Sequence, residues 1–142
     1  ALKPEFSRYA HQVVANCKTL AAELSEAGLR LVSGGTDNHM VLVDVTPLGI
    51  TGQQAESALE SVGIIANKNA IPYDPRPPRV TSGLRLGTPA ITSRGMVESE
   101  VKQIAAMLTK VLVDVEDKAA HSKVSAEVKK LTAHFPVPGI DN

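Results

Sequence analysis

Thr81-Ser82-Gly83-Leu84-Arg85-Leu86-Gly87-Thr88-Pro89-Ala90 reads as a short strand over Gly83 to Leu86, aliphatic on both sides of one charge and closed off by Pro89. Arg85 is the lone guanidinium of a run that looks built to enter a core. A charge buried without a partner is costly, so the pattern asks for a carboxylate or phosphate to fill the planar fork of donors. An internal Asp or Glu would serve as well as a ligand. Gly83 and Gly87 remove side-chain bulk two residues to either side on the same strand face, where a ligand or another backbone approaches closely, and this favours an open site.

Three further strands lie upstream, Leu29 to Val32, Met40 to Val45 and Ile64 to Ala66, each short, aliphatic and bounded by Gly, Asn, Asp or Pro. Gly34-Gly35-Thr36-Asp37-Asn38 has the turn chemistry to join the first two as a hairpin. Helices fill the remainder. Phe6, Tyr9, Ala10, Val13, Val14, Cys17, Leu20, Ala21 and Leu24 recur at helical spacing between Pro4 and Gly28. Thr51 and Gln54 form a capping box ahead of Ala55, Ala58, Leu59 and Val62, with Gly63 as the stop. Val97 to Val115 and Val124 to Phe135 supply two closing helices. The order predicts an α+β fold, helices packed on one face of a small, mostly antiparallel sheet.

At 142 residues the chain suits one domain able to fold without disulfides or metal. Basic and acidic residues balance at 15 each with no basic run interleaved with aromatics, which argues against nucleic acid. Cys17 is the single cysteine and His11, His39, His121 and His134 are widely spaced, so no disulfide framework or metal-ligand spacing is present. No apolar run reaches the ~18 residues of a bilayer span, and no signal-peptide pattern is visible. A soluble, cytoplasmic protein is expected.

Other candidate groups carry less. Asp37 and His39 share a glycine-rich turn with no nucleophile beside them, and read better as a turn residue and a structural histidine. Cys17 sits on the apolar face of the first helix as a small hydrophobe. Lys68, between Asn67 and Asn69, would need a lowered pKa to form a Schiff base, and nothing local lowers it, so it reads as a solvated lysine. Pro72-Tyr73-Asp74-Pro75-Arg76-Pro77-Pro78-Arg79 is a rigid connection first and a PxxP ligand second.

Taken together, Ser33-Gly34-Gly35-Thr36-Asp37-Asn38-His39, Asn67-Lys68-Asn69 with Pro72 and Asp74-Pro75, and Thr81 through Ala90 with Thr92 and Arg94-Gly95 resemble the C-terminal part of serine hydroxymethyltransferase. The resemblance runs from Pro4-Glu5-Phe6 to about Pro136-Val137. It implies the small domain of a fold-type I pyridoxal-phosphate enzyme that interconverts serine plus tetrahydrofolate with glycine plus methylenetetrahydrofolate, usually as a homodimer. Arg85 matches the arginine that grips the α-carboxylate of serine or glycine, Asn69 a folate contact, and Pro78 the one match where the family usually has Ser-Pro-Phe and this chain has Pro77-Pro78-Arg79. The family's Schiff-base lysine lies in a Thr-rich His-Lys segment that is not found here, and Lys68 matches a different position. The chain is therefore expected to be a domain of a longer enzyme, with residues 1–28 an inter-domain helix, residues 29–142 the small domain, no catalytic residue of its own and no activity alone. A non-catalytic interaction module and a carboxylate-binding amino-acid sensor remain as rival readings.

Overall fold

A computed structural model describes residues 3–140 of the chain. Helix α1 (Pro4–Glu26) leads into strand β1 (Arg30–Leu31), and a turn containing the 3-10 segment Val32–Gly34 leads on to β2 (Met40–Asp44). Helix α2 (Gly52–Ser61), strands β3 (Asn67–Asn69) and β4 (Gly83–Gly87), and helices α3 (Pro89–Ser93), α4 (Glu98–Val113) and α5 (Lys118–His134) complete the order. The strands form one sheet in the order β1-β2-β4-β3 with every neighbouring pair antiparallel. The fold is α+β, as its element order predicts.

Local chemistry sets the helix bounds. Pro4 starts α1, where a missing N–H costs nothing, and Gly28 follows the helix at φ 86°, a left-handed conformation that glycine adopts freely. Thr51 caps α2 reciprocally: its hydroxyl accepts from the Gln54 N–H at 3.1 Å, and the Gln54 side chain accepts from the Thr51 N–H at 2.9 Å. At the start of α4 the carboxylate of Glu100 accepts from the Val97 N–H. Asp117 caps α5 through the N–H groups of Ala119 and Ala120, seven residues ahead of the apolar run that begins at Val124.

The core lies between the sheet and the helices. Leu31, Val41, Val43, Leu84 and Leu86 meet Cys17, Leu20, Leu24, Ala55, Leu59, Val101, Leu108 and Leu112 there. The stripe on α1 packs against α4 and is covered, leaving only Phe6 exposed among its large apolar residues. Asn16, on the same helix and fully buried, is polar glue: its side-chain amide donates to Thr92 Oγ1 and to the Met96 carbonyl, and accepts from Gln12. Thr88 adds a second tie, its hydroxyl donating to the Val13 carbonyl at 2.7 Å.

Two elements depart from the sequence reading. The third strand is Asn67–Asn69 rather than Ile64 to Ala66, because its backbone can reach β4 only where Asn67 opposes Arg85 and Asn69 opposes Gly83. Ile64 and Ala66 are half-buried packing residues on the way there. The short helix α3, begun by Pro89, carried no periodicity long enough to be seen.

Candidate functional site

Along β4 the side chains alternate, and the alternation decides where Arg85 goes. Leu84 and Leu86 are buried against the helices, whereas Arg85 is exposed on the opposite, helix-free face of the sheet. The expectation that Arg85 enters the core is corrected by this period of two. A structural ion pair is not what holds it either: the ion pairs among the described residues are Arg30–Asp44, Lys68–Glu56, Lys102–Glu23 and Lys110–Glu127. Among the described residues Arg85 has no ion-pair partner, and it stands at the middle of an interior strand.

Its surroundings come from both neighbouring strands. Leu42 of β2 and Asn67 of β3 stand directly opposite Arg85, and Asn69 stands opposite Gly83 on the same face. Gly83 is not clearance for a ligand. A Cβ there would meet the Asn69 carbonyl oxygen at 2.5 Å and Ile71 Cγ2 at 2.7 Å, so protein fills the space. Gly87 is exposed and sits against the His39 carbonyl, with 3.2 Å left for a Cβ.

The proline-rich connection borders this face and is braced from within by Asp74. One carboxylate oxygen of Asp74 accepts from the N–H groups of Ile71 and Ser82, the other from the Arg76 N–H and the Ser82 hydroxyl, at 2.7–3.2 Å. Burial pushes the Asp74 carboxyl up, but the donors from Arg76, Ser82 and Ile71 outweigh it and hold its pKa at about 2. Arg76 adds bonds from Nη1 to the Ile50 carbonyl and Ser82 Oγ. Pro78 is exposed in the loop so braced, next to Pro77, whose carbonyl accepts from Val80 and Thr81. Thr81, buried and β-branched, takes φ 57°, a strained conformation just before β4 begins.

The remaining candidates fall away from this face. Lys68 opposes Leu84 and so points to the helix side, where its Nζ lies 2.7 Å from Glu56 Oε2 while its N–H donates to Oε1. The side-chain and backbone donors of Lys68 hold the Glu56 carboxyl below its ordinary pKa. Lys68 is thus half-buried and paired, not the solvated lysine the sequence suggested. Asp37 and His39 are exposed, and the turn work falls to Asn38, whose Oδ1 accepts from the Met40 N–H, and to Thr36, bonded to Asn38 and Met40. Cys17 is fully buried, and burial pushes its thiol up, against hydrogen bonds with Thr36 and Thr88. No group of three metal-ligating side chains occurs among the described residues, and no described helix is long and apolar enough to cross a membrane.

A family model matches residues 1–108 of the 142, and its description is serine hydroxymethyltransferase. The chain belongs to that family. The match takes in Asn69, Pro78, Arg85 and the whole sheet, and it stops within α4, short of the Pro136-Val137 limit read from the sequence.

Proposed function

We propose that this chain supplies the substrate-carboxylate grip and one wall of the folate site of a serine hydroxymethyltransferase, interconverting serine plus tetrahydrofolate with glycine plus methylenetetrahydrofolate. The observation that carries the proposal is the exposed, unpaired Arg85 guanidinium on the helix-free face, with Asn69 close by. A planar fork of this kind binds a carboxylate through two parallel hydrogen bonds, which fixes orientation as well as holding charge. Asn69 and Pro78 are the folate-facing contacts, on an edge strand and a loop stiffened by proline and Asp74.

Pyridoxal phosphate, which the family implies, does not fit the residues described here. Its attachment needs a free amine in a partly enclosed site, and Lys68, the one half-buried lysine among the described residues, is held by Glu56. The cofactor and the reacting centre therefore belong to residues outside this chain, in a longer, cytoplasmic, homodimeric enzyme, and the chain alone is inert. An assay of the 142-residue chain with serine, tetrahydrofolate and pyridoxal phosphate is expected to yield no glycine above background. Enzyme-dependent glycine formation would overturn the reading. Calorimetry with serine and glycine separates it from a free amino-acid sensor, which binds these ligands unaided.

A further inference from the structure

A second site lies on the other side of β4. Leu20, Leu86, Met107, Leu108, Val128 and Leu131 line an apolar cavity of about 250 Å³ between the sheet, α3, α4 and α5, with exposed Ile65 and Ala90 at its mouth. This exceeds the roughly 150 Å³ of an engineered apolar cavity that stays dry and takes up benzene.

One cation stands in its lining. Arg94 is half-buried and donates from Nε to the Phe135 carbonyl at 2.6 Å and from Nη2 to the Thr132 carbonyl at 3.1 Å, closing the last turn of α5 over the cavity. Those bonds use two of its five N–H donors on carbonyls at the C-terminus of α5, whose partial negative charge offsets only part of a full positive charge. None of the ion pairs among the described residues includes Arg94. An apolar chamber beside a guanidinium that has no carboxylate partner among the described residues selects a ligand with one apolar body and one anionic head.

We propose that this cavity binds a small amphiphilic carboxylate, a short alkyl chain or single ring occupying the chamber and its carboxylate meeting Arg94. The lining takes in Leu86, next to Arg85 on β4, and Gly87 at the end of the strand. The site is distinct from the Arg85 face, because Arg85 is not among the residues that line it.

Titration of the folded chain with octanoate, followed by NMR shifts of the lining methyl groups, tests this. Saturable binding at roughly millimolar concentration or tighter is expected for a ligand of this size. Arg94→Gln should weaken octanoate about tenfold while leaving octan-1-ol unchanged, and octylamine should bind wild type more weakly than octanoate. Ala90→Trp, and independently Ile65→Trp, should block the mouth and abolish binding. The proposal is overturned if octanoate fails to saturate the folded wild type, if Arg94→Gln weakens acid and alcohol alike, if octylamine binds as tightly as octanoate, or if a folded mouth-blocking variant still binds.

Discussion

Asp74 shows at the scale of one residue how the loop beside Arg85 is held. Its ordinary pKa of 3.8 falls to about 2 in the folded chain, so the folded state binds its proton less readily than the unfolded one. The stabilisation is therefore fully present above about pH 4 and is lost as pH falls toward about 2. Asp74→Asn should lower Tm at neutral pH, because an amide turns an NH2 toward donors that now face a carboxylate oxygen. Thermal melts should show that gap from wild type closing between pH 5 and pH 2, and a gap that stays constant would exclude the carboxylate as its source. Little of this was visible in the sequence, where Asp74 is one of several polar residues among prolines and its donors lie up to eight residues away. The sequence left the side of Arg85 open to error, since apolar neighbours on both sides signal a strand without saying which parity is buried.

At the scale of elements, β4 is the piece on which the site depends. Gly83 lets β3 and the segment after it close on β4, so Gly83→Ala should press a methyl against the Asn69 carbonyl oxygen, which is backbone and cannot swing aside. Such overpacking costs about 1–3 kcal/mol, readable as a lowered denaturant midpoint, and an unchanged midpoint would mean that β3 is not packed as described. Thr51→Ala should cost about 1 kcal/mol through loss of the α2 cap, measured the same way. Helix periodicity and that capping box were legible because they depend on near neighbours in the chain. The position of β3 was not, because Asn67-Lys68-Asn69 becomes a strand only through its partner β4, against its own weak β-propensity. The Asn16 network was equally hidden: its polar partners Thr92 and Met96 lie 76 and 80 residues further along the chain.

For the whole molecule, the helices bury one side of the sheet and leave the other, with Arg85 at its middle, uncovered. The apolar stripe of α1 is packed against α4 rather than left bare. On the function proposed above, the sheet face that remains is where the rest of a serine hydroxymethyltransferase would complete the site. In that complete site the carboxylate and Arg85 are shielded together, and removing one member of such a pair costs about 2–5 kcal/mol. The decisive measurement is kcat/KM for serine in the full-length enzyme carrying Arg85→Ala, with Arg85→Lys as the variant that keeps charge without the fork. A fall of about 30-fold to a few thousand-fold for Arg85→Ala, incompletely restored by lysine, is the predicted result. Serine kinetics unchanged from wild type would contradict the assignment of Arg85 as the carboxylate grip.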